Sequence, residues 1–156
     1  MKILIRPATA ADIPAIMALE KHAATAAHWS PAQHAAVFDN VSPERIALVL
    51  ETAEEGKIGV AMQGFLMARE VGREWELENI AIGGPARRRG LGTRLLGEFL
   101  DLARARSARA IFLEVRESNT AARKLYEKWA FTESGRRNQY YQNPNEDAIL
   151  YRLDFT

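Results

Sequence analysis

Residues 79–96 read NIAIGGPARRRGLGTRLL. An alternating apolar run stops at two glycines and a proline. Three arginines follow, and Gly90-Leu91-Gly92 then opens a stretch with leucines at helical spacing. The pattern predicts a strand, a tight turn and a helix. The first backbone N–H groups of a helix have no partner inside it, and the positive end of the dipole faces outward there. Glycine at 90 and 92 leaves that backbone uncovered, so the segment predicts a cradle for phosphate. Two common phosphate patterns do not fit. A dinucleotide G-x-G-x-x-G needs glycine where Leu95 stands, and a P-loop G-x-x-x-x-G-K-[ST] needs a lysine and then a hydroxyl residue after its last glycine, and neither follows at the right place. A glycine-containing helix start with solvated arginines is the plainer alternative.

Before this segment, residues 45–84 carry three successive strands, divided by the turn-forming EEGK and EVGRE. After it, Leu91, Leu95, Phe99, Leu102 and Ala103 recur at helical spacing. ARAIFLEV returns to strand, and NTAARKLYEKW is a short helix with Ala121, Leu125 and Trp129 on one face. Residues 134–155 form two last strands around an Asn/Pro-rich turn. At the other end, MKILIRPAT is a strand, and Thr9 with Asp12 three residues on predicts a helix N-cap ahead of Ile13, Ile16, Met17 and Leu19. Ser30-Pro31 starts a second helix. The order β-α-α-β-β-β-α-β-α-β-β predicts one mixed α/β domain of the α+β type over residues 1–156, flanked by about four helices.

Composition narrows the chemistry. With 156 residues, 47% hydrophobic and 26% charged, the chain is long enough to bury a core. It has no cysteine, which excludes disulfides, cysteine-ligated zinc and a cysteine nucleophile. No signal-peptide pattern and no apolar run near ~20 residues is present, so a soluble cytoplasmic protein without a membrane partner is expected. Of 21 basic residues, 16 are arginines, but the net charge of +1 does not suit a nucleic-acid surface. His22, His28 and His34 are six residues apart, do not share a helix face and have no acidic cluster beside them, so no metal site is predicted.

Two residues in AIFLEVRESNTAARKLY (110–126) carry chemical interest. Glu114 lies inside an apolar strand, where desolvation raises a carboxylate's pKa toward that of a useful general base. The plainer alternative is a glutamate on the strand's polar face, paired with Arg116 or another arginine. Tyr126 is seven residues past Asn119, nearly two helical turns, so the two share a face. A core tyrosine beside Ala122 is the alternative there.

Arg87-x-x-Gly90-x-Gly92 resembles the [QR]-x-x-G-x-[GA] signature of the GCN5-related N-acetyltransferases. ELENIAI before it and LEVRESNTAARKLYEKWAF after it match in order and spacing. The resemblance spans residues 3–155. LEVRESN, LYEKWAF and NQYYQNPNEDAI are most similar to the bacterial ribosomal-protein-alanine branch. It implies a central sheet that is mixed but mostly antiparallel, with a splayed strand pair, and acetyl-CoA as cosubstrate with no metal. The loop residues Arg87, Arg88, Arg89, Gly90, Leu91, Gly92 and Thr93 would hold the pyrophosphate. Asn119 would contact the cosubstrate, and so would the backbone of Ile80, Ala81 and Ile82, where an N–H can stabilise a developing oxyanion. Glu114 would be the base and Tyr126 the acid. Glu78 is a competing base on the neighbouring strand, ranked second because the match around Glu114 is longer. Trp29, Glu78, Tyr140 and Tyr141 would meet the acceptor.

The implied reaction is acetylation of a protein N-terminus, that of an alanine on a small-subunit ribosomal protein. An α-amine with a pKa of about 8 is roughly a tenth neutral at pH 7, against under about one in a thousand for lysine. Alternatives are a small-molecule amine acceptor, or a non-catalytic acyl-CoA-binding module, which would be expected to lose Glu114 or Tyr126. The chain also departs from the family pattern. Ala130-Phe131 replaces Gly-Phe, and alanine can serve there if the backbone avoids the left-handed region. GGP sets the turn proline one position late, and residues 42–58 are the least family-like.

Overall fold

The computed structural model describes residues 1–23, 28–39, 43–86 and 89–155. Seven strands and four helices follow the predicted order: β1 (Lys2–Pro7), α1 (Ile13–Lys21), α2 (Pro31–Ala36), β2 (Arg45–Ala53), β3 (Ala61–Val71), β4 (Glu74–Ile82), α3 (Leu91–Ala105), β5 (Ala110–Arg116), α4 (Thr120–Lys128), β6 (Thr132–Tyr141) and β7 (Glu146–Asp154). One sheet holds all seven strands in the order β1-β2-β3-β4-β5-β7-β6. Only β4 and β5 run parallel, as a helical crossover through α3 requires.

The middle strands are apolar on both sides because both faces of the sheet are covered. Leu66 and Ala68 of β3 face α3, which buries Leu91, Leu95, Leu96, Phe99, Leu100 and Ala103 against them. Phe65 and Met67 face the other way, toward Ile16 of α1 and Val37 after α2. No described helix is long and apolar enough to cross a membrane.

The β4–β5 ladder is short. It covers Glu74↔Ala110, Trp75↔Ile111 and Glu76↔Phe112. Immediately afterwards β4 bulges. Met67 of β3 pairs with Asn79 and Ala68 with Leu77, so Glu78 is an extra residue in the ladder. A bulge bends and twists its strand. From Leu77 onward the β5-facing edge of β4 has no strand beside it, while β5 continues along β7 as far as Arg116. This is the splayed pair that the family resemblance implies.

Two local expectations need correction. Thr9 caps a 3₁₀ turn at Ala10–Asp12, not α1 itself, which begins at Ile13. The Asp12 carboxylate accepts from the Thr9 N–H at 2.7 Å and pairs with Arg6 at 2.8 Å. Ala130 does occupy the left-handed region, at φ +69°. The end of α4 dictates this. Phe131 N–H reaches the Tyr126 carbonyl and Ala130 N–H the Glu127 carbonyl, each at 3.0 Å. That pair of bonds closes the helix only through a left-handed residue.

Candidate active site

A cleft of about 770 Å³ occupies the splay between β4 and β5. Glu78, Ile80, Ala81 and Ile82 of β4 form one wall, and Glu114 and Tyr126 line the other side. Gly90, Leu91, Gly92 and Thr93 at the start of α3 and Asn119 at the start of α4 line it too, as do Asn79 and Arg116.

The α3 start has the geometry its sequence predicts. Gly90 takes φ +74°, and a β-carbon there would meet nothing within 4 Å. The backbone is therefore bare toward the cleft. Leu91 is buried to 1% in the core, so only its backbone is on offer. Arg89 lies outside the cleft lining, against the Met1 sulfur and 3.9 Å from Glu54. Arg87 and Arg88 fall outside the described residues.

Tyr126 is both core and cleft residue. It is only 4% exposed, with its ring 5.8 Å from Phe131 and 6.1 Å from Tyr151, yet it lines the cleft. Burial raises its phenol pKa, and nearby Tyr141 adds to the effect. The helix that carries it starts cleanly because Asn119 Oδ1 accepts from Ala122 N–H at 3.1 Å.

The setting of Glu114 differs from the apolar one expected. Leu113 and Val115 point into the core, which turns Glu114 to the other, less buried face with Phe112 and Arg116. There Arg137 of β6 pairs with it at 2.8 Å, and Tyr140 hydrogen-bonds to it. The partner is thus an arginine, as the plainer reading had it, but not Arg116. Burial raises the pKa of the Glu78 carboxyl, against opposing pull from Arg45 and Arg69. Arg45 reaches Glu78 at 2.5 Å and Arg69 at 3.8 Å.

Tyr141 lines the cleft, and burial pushes its phenol up to about 12, with Glu114 and Tyr140 contributing. Tyr140 lies beside it, edge-on at 5.2 Å and half exposed, outside the cleft lining. Trp29 is also outside the lining and packs on the His34 ring at 5.3 Å.

Residues 13–131 match the acetyltransferase (GNAT) family. The chain belongs to that family. The [ribosomal protein bS18]-alanine N-acetyltransferase of Salmonella typhimurium is 35% identical over 91% of this chain and 90% of its own length. The crystal structure of the ribosomal-protein-S18-alanine N-acetyltransferase from Escherichia coli superposes with a TM-score of 0.84 at 32% identity, over 99% of this chain and 95% of that one. Arabidopsis thaliana NAA60, solved in complex with acetyl-CoA, shares the fold at 15% identity, over 99% of both chains, with a TM-score of 0.86.

This GNAT chain is an acetyl-CoA-dependent N-acetyltransferase. Its cleft fits the cosubstrate. A strand edge without a neighbour can hydrogen-bond an amide-bearing arm, and the bare backbone at Gly90 can meet phosphate. Among the described residues, no group of three or more His, Asp and Glu could hold a metal.

Two features of the acetyltransferase were missed in sequence. Arg116 donates to the Pro144 and Gln142 carbonyls at 3.2 Å each, pairs with Glu146 at 3.3 Å and lies 4.4 Å over the Tyr141 ring. It thereby clamps the β6–β7 turn and holds Tyr141 at the cleft. Beneath β4, Glu20 joins His34 and Asn79 in a buried polar cluster. One signal was available: Glu20 falls four residues after Ile16, on the apolar stripe of α1.

Proposed function

We propose that the chain acetylates the α-amine of a protein N-terminus, an alanine on a small-subunit ribosomal protein, in the cytoplasm. One observation carries the chemistry: a single cleft is lined by the open β4 edge, by the bare start of α3, and by Glu114 and Tyr126. The acceptor rests on the relatives, whose names give ribosomal-protein alanine.

Ile80, Ala81, Ile82 and the Gly90–Thr93 backbone would hold acetyl-CoA, with Asn119 beside them. Bound acetyl-CoA supplies a thioester-activated acetyl group. Glu114 takes the proton of the incoming ammonium, directly or through one water. Arg137 must release the carboxylate for this. It is able to, because its side chain is 56% exposed on an edge strand. An N-terminal amine asks little of such a base, since about a tenth of it is already neutral at pH 7. Tyr126 holds a proton for the departing sulfur, and its raised pKa keeps the phenol a donor at neutral pH. A backbone N–H of β4 is placed to oppose charge growing on the carbonyl oxygen. With no cysteine in the chain, transfer is direct and needs both substrates bound. Tyr140, Tyr141, Glu78 and Trp29 border the acceptor's approach.

The test is an acetylation assay on Ala-, Ser- and Met-initiated peptides, an internal-lysine peptide and a small polyamine. Turnover is expected on the Ala-initiated peptide. Activity confined to the polyamine would overturn the acceptor assignment. Glu114→Gln should lose most of kcat, and a variant fully active across the pH range would remove the base role. Tyr126→Phe should lose turnover while still binding acetyl-CoA.

A further inference from the structure

Three polar side chains lie under β4 almost without solvent: His34 at 0%, Glu20 at 3% and Asn79 at 4% exposure. They come from α2, α1 and β4. Glu20 Oε1 is 3.0 Å from His34 Nε2, and Glu20 Oε2 accepts from Asn79 Nδ2 at 2.8 Å. Their surroundings are otherwise apolar, with Ile16, Val49, Phe65 and Met67 on the same side of the sheet. A buried carboxylate is costly to desolvate, and a buried polar cluster is often no more stable than an apolar one of the same shape. Stability alone therefore does not account for Glu20.

Its partners do. Asn79 directly follows the bulge residue Glu78 and directly precedes Ile80–Ile82, the edge that faces the cleft. His34 packs against the Trp29 ring, tilted at 48°. Among the described residues its buried Nδ1 has no hydrogen-bond partner, and Nε2 is anchored by Glu20. Glu20 ties the α1–α2 wall to the bulge through both of its oxygens.

We infer that Glu20 and Asn79 are positioning residues for acetyl transfer. Glu20 holds the Asn79 amide, Asn79 fixes the bulge, and the bulge aims the β4 edge at Ile80–Ile82. This rests on the reading of that edge as the one that holds the acetyl group. A backbone donor displaced by about 1 Å can cost up to a hundredfold in rate. The contribution is to kcat, because Asn79, although it borders the cleft, is only 4% exposed, and the rest of the cosubstrate is held by the α3 start.

The test uses a donor–acceptor swap. Asn79→Asp sets a second acid against Glu20, and two carboxyls at that distance cannot both ionise. Glu20→Gln with Asn79→Asp restores both bonds of residue 20: the glutamine NH₂ donates to the aspartate, and its carbonyl accepts from His34 Nε2. The single variant should lose about tenfold or more in kcat on the Ala-initiated peptide, with KM for acetyl-CoA within about twofold. The double variant should recover most of that loss. Where Asn79→Asp does not fold, Asn79→Ala removes the bond without adding charge and should show the same kcat loss. A folded Asn79→Ala or Asn79→Asp protein with wild-type kcat overturns the inference. So does a folded double variant no better than the single one. Wild-type protein that acetylates no amine overturns this inference together with the functional reading.

Discussion

Replacing Ala130 by glycine should make this acetyltransferase more stable without changing its catalysis. Ala130 sits at φ +69°, directly after the α4 cap residue Trp129. An L-residue with a β-carbon costs about 1–2 kcal/mol there. Glycine relieves that strain but gives the unfolded chain more freedom, which returns about 0.4–1 kcal/mol. At the middle of both ranges the net gain is about 0.8 kcal/mol. For a chain of 156 residues, this corresponds to a rise in Tm of about 1–4 °C. Calorimetry or thermal circular dichroism reads the shift, and urea titration should move the midpoint with the slope unchanged. The Phe131 N–H already holds the Tyr126 carbonyl, and the Phe131 ring packs against the Tyr126 side chain. So kcat should stay within about twofold of wild type, the spread left when no transition-state contact is lost. Ala130→Val, which resists the left-handed region more strongly, should lower Tm. A lower Tm for Ala130→Gly would show that residue 130 is not left-handed in solution, and the account of how α4 ends would fail with it.

Gly97→Ala on α3 should destabilise by about 1–3 kcal/mol, since a β-carbon there would stand 2.8 Å from Trp129 Cζ2; calorimetry checks it, and an unchanged Tm would mean that Trp129 moves aside freely. Arg137→Gln should lower KM for the peptide about two- to fivefold by leaving Glu114 to the acceptor alone, an effect the size of an exposed ion pair. A raised KM in steady-state kinetics would instead make Arg137 an acceptor contact. Arg6 holds the Asp12 carboxyl down at about 2. Because the folded pKa is depressed, this stabilisation is present above about pH 4 and is lost as pH falls toward 2. Asp12→Asn should flatten that part of the stability–pH curve, and an unchanged acid limb in urea titrations from pH 5 to 2 would refute it.

The order of elements and several residues that meet at the cleft were readable along the chain because both rest on local rules. Residues 79–96 alternate, stop at glycine and resume at helical spacing, and the strand, turn and helix form there. Asn119 and Tyr126 share a helix face by spacing alone, and both line the cleft. The environment of Glu114 was not readable. Its partner Arg137 is 23 positions away on β6, a strand that pairs only with β7. Local apolar neighbours suggested desolvation, but strand alternation sends those neighbours to the opposite face.

By itself, then, the sequence determined the family, the α+β order, the glycine-bearing helix start and the candidate pair Glu114 and Tyr126, since motif spacing and periodicity are properties of consecutive residues. Only the tertiary structure decided the rest. The bulge at Glu78 opens the cleft, Arg137 and not Arg116 holds Glu114, burial raises the pKa of Glu78, and Glu20 joins two helices to β4. Each of these depends on which distant residues share a face of the sheet, and strand register across a seven-stranded sheet sets that, not neighbours in the chain.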